Sequence, residues 1–285
     1  MKSSGDAAFP YGEAYQLEQV EKHRARATNR WRDRIALAHE LVEKWARPRL
    51  AARTPADISI LDVGCSVGTM AIEFALRGYR AAGVDFDGAA LDIARGLCKE
   101  EGASVDFYRG DVADWRELAN RTLDVVLCFD IFEHLHDDQL GSMLRAIRRE
   151  MSPSGTLIFY SFPLQFDYLF FSRDALSWPL LPFTLLSPAR FTRLTRAYAS
   201  LLDAALLLAT GATYKERIKN LSHCNPTTRE RLVDILERSG FDIASIETGN
   251  IYPDKPHIKR RFARQPIAHR QVFGAAYPRQ SGSES

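Results

Sequence analysis

The chain has 285 residues, 46% apolar content and a formal net charge of +2. That is enough apolar mass for one large α/β domain with an elaboration, and too little for two independent large domains. The near-neutral charge argues against a general nucleic-acid binder, which carries a pronounced basic excess, and no stretch reaches the roughly 18 continuous apolar residues of a membrane span.

Four cysteines, Cys65, Cys98, Cys128 and Cys224, lack C-x-x-C spacing and read as reduced thiols of a cytoplasmic protein. The opening Met1-Lys-Ser-Ser-Gly-Asp is polar, so no signal peptide is expected, and residues 1–9 and 279–285 read as disordered tails. Residues 13–47 are helical in pattern: Trp31, Ile35, Ala38, Val42 and Trp45 recur at helical spacing until Pro48 ends the run, which places an N-terminal helical segment over residues 1–50.

Residues 58–63 are an apolar run suited to a strand buried on both faces, followed by a glycine turn and a helix over 68–77. In Ile60-Leu-Asp-Val-Gly-Cys-Ser-Val-Gly-Thr-Met70, Gly64 and Gly68 let the backbone approach a cofactor. A dinucleotide fingerprint needs G-x-G-x-x-G, yet its second and third glycine positions hold Ser66 and Thr69 here. Asp62, two residues before Gly64, would repel a pyrophosphate but can orient an ammonium group. A second strand, 80–85, ends in Asp85, twenty-one residues after Gly64 and placed to accept from a ribose diol, with Phe86 beside it.

Alternation continues through a helix at 87–101, a strand at 104–108, a helix at 114–120, a strand at 123–129, a helix at 138–150 and a strand at 155–161, which predicts a doubly wound parallel sheet. Residues 162–221 interrupt the pattern with ten of the thirty aromatics and four prolines. At the ligand-binding end of such a sheet, this insertion reads as a lid or substrate-binding cap, or as an aromatic surface packed on itself or on a second subunit. A helix at 227–239, stopped by Gly240, and strands at 241–248 and 269–277 complete the fold.

The pattern D-x-G-x-x-x-G with an acid about twenty residues later resembles the first two motifs of class I S-adenosylmethionine (SAM)-dependent methyltransferases. Val105-Asp-Phe-Tyr-Arg-Gly-Asp-Val-Ala-Asp114 is similar to the third strand and loop of that family, and the resemblance puts Asp111 and Val112 on the adenine. It covers about 58–162 and 223–277, and implies a seven-stranded sheet with an antiparallel last strand. It also implies a cofactor-binding set of Asp62, Gly64, Cys65, Gly68, Asp85, Phe86, Asp111, Val112 and Phe129. Ser66 departs from the middle glycine of many members; its small size predicts little loss of cofactor binding.

Asp130-Ile-Phe-Glu-His134 leaves the fourth strand where a methyl acceptor would sit, and one helical turn would present Asp130, Glu133 and His134 on one side. It resembles the E-x-x-E-H segment of ubiquinone-biosynthesis O-methyltransferases, where such groups are implicated in holding a divalent cation. That resemblance implies a Mg2+ site at Asp130, Glu133 and His134, with Asp130 giving a shorter reach than glutamate. The same turn reads equally as a general base, or as a structural closure of the pocket. His223 is a second catalytic candidate, from the segment before the last helix, where Thr227 or Thr228 is also a candidate N-cap.

Basic residues at 22–34 and 257–264 read as solvated faces, or as a grip for an anionic acceptor or membrane surface; Arg30 and Trp31 are candidates to close the site. The function expected is methylation of an oxygen on a small or lipid-linked metabolite. An N-methyltransferase, a glycan-modifying enzyme, a SAM-binding protein without turnover and a nicotinamide dehydrogenase are the alternatives.

Overall fold

The computed structural model describes residues 12–110, 122–162, 174–213, 224–225, 227–249 and 260–280. Its centre is a seven-stranded sheet in the order β3-β2-β1-β4-β5-β7-β6. The strands are β1 (Ser59–Val63), β2 (Arg80–Asp85), β3 (Val105–Arg109), β4 (Leu123–Phe129), β5 (Met151–Ser161), β6 (Phe241–Gly249) and β7 (Gln271–Pro278). β1 pairs in parallel with both β2 and β4, and β7 runs antiparallel between β5 and β6, as expected. The winding reverses between β1 and β4, which opens the ligand crevice at their carboxyl ends.

Alternation along β1 divides its side chains between two layers. Leu61 and Val63 face a core with α5 (Asp137–Glu150) and the late helix Arg229–Arg238, while Ile60 faces a core with α2 (Arg30–Leu41). Between the strands stand α3 (Thr69–Leu76) and α4 (Gly88–Glu100), the latter capped by Asp87. The helix expected at 114–120 and residues 1–9 and 281–285 of the expected tails lie outside the described residues, whereas Arg279 is not part of a free tail: its N–H donates to the Gly240 carbonyl at 2.9 Å and its side chain pairs with Asp242.

Two expectations need correction. The helical run at 13–47 is broken into α1 (Glu13–Arg24) and α2, because Asn29 caps α2 through the Trp31 N–H and donates to the Lys22 carbonyl across the break. The fifth strand begins at Met151 rather than 155, since Met151 already pairs with Leu123 before a register shift.

In the insertion, a 3-10 segment (Asp174–Phe183) leads to α6 (Pro188–Thr210), a helix of 23 residues. The late helix Arg229–Arg238 is α7. α6 packs on the connection between β6 and β7: Phe191 and Phe262 are both buried, with ring centroids 6.0 Å apart, among Leu180 and Ala268. Gln265 donates to the Thr184 and Leu186 carbonyls at 2.7 and 2.9 Å and fastens the two pieces. No described helix is long and apolar enough to cross a membrane. The four cysteines are free thiols, three of them buried.

Candidate active site

A cavity of about 780 Å³ opens over the carboxyl ends of β1 and β4, a volume suited to a small-molecule ligand. Its floor is Asp62, Gly64, Cys65, Ser66, Val67, Thr69 and Met70; its far side is Phe129, Asp130, Glu133, His134 and Phe162. The lid is α1 and the start of α2, contributing Tyr15, Lys22, Arg30, Trp31 and Arg34 among others.

The loop after β1 takes the shape expected of a cofactor cradle. Gly64 and Gly68 have φ of +72° and +79°, and a Cβ on Gly68 would stand 2.7 Å from the Phe107 ring. Ser66 also sits in the left-handed region, at φ 49°. That conformation favours glycine, and serine meets the backbone requirement at a strain of about 1–2 kcal/mol. Asp85 holds the loop: its carboxylate accepts from the Ser66 N–H at 2.8 Å and the Asp87 N–H at 2.9 Å. Asp85, Phe86 and Gly68 stand outside the cavity lining, while Asp62, Gly64, Cys65 and Phe129 belong to it. Phe129 stacks on Tyr160, with centroids 5.5 Å apart.

Asp62 is buried at the end of β1, and burial together with the neighbouring Asp85 charge pushes its pKa up to about 7. A backbone N–H from Ala71 opposes that shift. A ligand ammonium beside Asp62 would restore the ionised form, so the position suits the amino-acid end of the expected cofactor.

On the acceptor side, Asp130 has φ 53°, and its carboxylate pairs with Arg34 at 2.9 Å. Arg34 lies over the rings of Trp31 and Tyr160, at 5.2 and 5.7 Å. Glu133 is in a 3-10 turn, Phe132–His134, rather than an α-turn. Its Oε2 accepts from Ser161 Oγ at 2.7 Å, and Ser161 Oγ meets Thr227 Oγ1 at 3.1 Å. Glu133 Oε1 is buried without a hydrogen-bond partner. Burial, reinforced by the Asp130 charge, pushes the Glu133 pKa up to about 8; burial also raises that of Asp130, against the pull of Arg34.

The expected Mg2+ triad is not assembled. Among the described residues no three His, Cys, Asp or Glu side chains are grouped to hold a cation. The reason is electrostatic: the Arg34 guanidinium already occupies the cationic place beside Asp130, and Glu133 turns to Ser161.

His223, Asp111 and Val112 lie outside the described residues. The neighbours of His223 do reach the site: the Asn225 N–H donates to the Glu133 carbonyl at 3.2 Å, and Cys224 Sγ to the His134 carbonyl at 3.4 Å. Thr228 is the N-cap of α7, which leaves Thr227 for Ser161.

Local sequence reading did not find the clasp on α1. His23 is fully buried between Thr69 Oγ1, at 3.1 Å, and Glu101 Oε1, at 2.8 Å. Arg26 pairs with both Glu73 and Glu101, and Gln16 donates to Asp87 at 3.0 Å. The basic stretch at 22–34 is thus partly a docking surface for α1, not only a solvated face. The one signal available was the position of His23 within a helical run, which names no partner.

Residues 60–155 match the model of a methyltransferase domain. That stretch is about a third of the chain and runs from β1 into β5, so the likeness to a methyltransferase domain lies on the loop after β1 and the strands around it. Over 100 residues, 35% of its length, the chain is 35% identical to the ubiquinone biosynthesis O-methyltransferase of Hahella chejuensis (strain KCTC 2396), covering 41% of that protein. Identity to the Vibrio atlanticus (strain LGP32) protein of the same name is 32% over 112 residues, 39% of this chain and 46% of that one. The match therefore spans less than half the length of these curated relatives. Among solved structures, a SAM-dependent methyltransferase from Clostridium acetobutylicum ATCC 824 superposes with a TM-score of 0.57 at 9% identity, covering 94% of this chain and 99% of that one. Magnesium protoporphyrin IX methyltransferase from Synechocystis PCC 6803 gives 0.52 at 16% identity, covering 93% and 95%. At such identities the likeness is one of fold.

Proposed function

We propose that this protein transfers the methyl group of SAM to an oxygen of a small or lipid-linked metabolite. The observation that carries the oxygen assignment is Glu133: a buried carboxyl in the cavity wall whose Oε1 has no partner and whose Oε2 is fixed by Ser161. A hydroxyl acceptor must lose its proton, and Oε1 is an acceptor for it. The relatives named as O-methyltransferases support the same reading.

SAM, when bound, supplies an electrophilic methyl carbon on a sulfonium. Asp62 would receive the ammonium of its amino-acid end, the loop at Gly64 and Ser66 would let the ligand approach the backbone, and Asp85, outside the cavity lining and fixing that loop, would accept from the ribose with the lone pairs its backbone donors leave free. α1 and Trp31 exclude water over the reacting atoms. Arg34 compensates Asp130, so that Glu133 is the carboxyl left to exchange a proton with the acceptor. No step runs through a metal, since the carboxylates present do not form a cation site.

The deciding experiment is calorimetric titration with S-adenosylhomocysteine (SAH) for wild type and Asp85→Ala, with NAD as control. Micromolar SAH binding that the variant weakens by more than about tenfold, roughly 1.4 kcal/mol, is expected. Binding of NAD in its place, or no SAH binding by a folded protein, would remove the proposal.

A further inference from the structure

Two buried hydroxyls stand behind Glu133, and each comes from a different part of the fold. Ser161 ends β5 and Thr227 lies just before α7, whereas Glu133 belongs to the turn after β4; all three are at most 1% exposed. A hydroxyl is costly to bury unless it is hydrogen-bonded, so the direction of each proton in this group follows from what can accept it. Among the described residues, Ser161 Oγ is the one partner of Thr227 Oγ1, at 3.1 Å. The Thr227 proton therefore goes to Ser161, and the Ser161 proton to Glu133 Oε2, 2.7 Å away. In the opposite sense the Thr227 proton would be buried with no acceptor.

Hydroxyls that all donate towards one oxygen leave that oxygen only accepting. Oε2 is thus the carbonyl oxygen of the neutral carboxyl, and the exchangeable proton belongs on Oε1, which has no hydrogen-bond partner among the described residues. The main chain of the turn is held by the same segment: the Asn225 N–H donates to the Glu133 carbonyl, and Asn225 Nδ2 to the Leu135 carbonyl at 3.2 Å. Arg231, in the first turn of α7, adds a bond to Asp137 at 2.7 Å.

We propose that Thr227 and Ser161 are positioning residues for methyl transfer, their relay keeping Glu133 Oε2 as an acceptor so that Oε1 is the oxygen that exchanges the proton. This rests on the reading of Glu133 as general base. In the transfer, the acceptor oxygen bonds to the methyl carbon, the carbon–sulfur bond breaks with its electron pair left on sulfur, and the acceptor proton moves to Oε1, giving methylated product and SAH. Ser161 and Thr227 act through Glu133 alone. A carboxyl free to turn about its last bond would present either oxygen, and misplacement by about 1 Å costs about a hundredfold in rate.

Thr227→Val removes the hydroxyl at nearly constant volume, Thr227→Ser keeps it, and Ser161→Ala removes the direct donor. Well below the Glu133 pKa of about 8, the infrared carboxyl C=O band that Glu133→Gln deletes reports the donor to Oε2 without any substrate. Its frequency should be lowest in wild type and Thr227→Ser, higher in Thr227→Val and highest in Ser161→Ala. With a catechol probe and saturating SAM, kcat should fall about tenfold to a hundredfold in Ser161→Ala and less in Thr227→Val. Thr227→Ser should match wild type, and SAH affinity should be the same in all of them. Absence of the band, a band that Ser161→Ala leaves in place, or Thr227→Ser as slow as Thr227→Val overturns the inference. So does full turnover by Ser161→Ala and Thr227→Val when Glu133→Gln is slow, an outcome that spares the base. Full turnover by Glu133→Gln removes the base itself, and the inference with it.

Discussion

Asp62 and Glu133 are carboxyls that the fold takes out of water with no ion pair in contact among the described residues. Each holds a proton in the native state that the unfolded chain gives up near the ordinary carboxyl range. Their raised pKa values make the native state most stable, in this respect, below about pH 4, with stability lost as pH rises towards 7 for Asp62 and 8 for Glu133. The thermal midpoint of the ligand-free protein should therefore fall between pH 5 and 8, and Asp62→Asn should flatten part of the fall. SAH affinity should rise over the same range up to about pH 7, because the ammonium needs ionised Asp62; calorimetry across pH with wild type and Asp62→Asn measures this. With a catechol probe as acceptor, kcat/KM should climb to a plateau near pH 8, and Glu133→Gln should lose roughly 10²–10⁴-fold. Activity of Glu133→Gln equal to wild type would end its role as base. The identities of these residues were legible beforehand, since Asp62 and Glu133 stand in readable motifs. Their protonation was not, because it depends on burial and on Asp85 and Ser161, which reach them from neighbouring strands, as well as on Asp130 in the same turn as Glu133.

At the scale of elements, α1 closes the site through contacts that no periodicity encodes. Glu101 is a carboxylate and only accepts, so neutral His23 donates from Nε2 and accepts at Nδ1 from the Thr69 hydroxyl. Arg26 then bridges Glu73 on α3 and Glu101 just past α4. Arg26→Ala leaves both carboxylates short of a partner and should cost about 1–3 kcal/mol of α1 docking. Faster hydrogen exchange confined to α1, with weaker SAH binding, is the expected outcome; unchanged exchange would show that α1 is held by apolar contacts alone. Strands and core helices came out of the sequence nearly in register, as with β2 and β4. The break at 25–29 did not, because Asn29 is an N-cap only when a separate helix starts there, and the apolar spacing on either side looks alike.

Across the whole molecule, the insertion and the connection between β6 and β7 form one cap although about seventy residues separate Phe191 from Phe262. Phe262→Ala should cost about 3–5 kcal/mol locally, seen as protease cleavage within 174–213, while SAH affinity stays that of wild type. Cleavage of wild type and variant at the same rate would mean that the cap does not depend on this contact.

The class of fold, the left-handed glycine loop after β1 and the succession of strands and helices along the chain were determined by the sequence itself. They rest on local causes: an apolar run that must be buried on both faces, glycines where the backbone turns left-handed, and acids at strand ends. Only the tertiary structure decided that Arg34 pairs with Asp130, that Ser161 and Thr227 hold Glu133, and that two distant segments share one cap. Those are pairings between residues far apart in the chain, and their energies come from desolvation and geometry that exist only once the chain has folded.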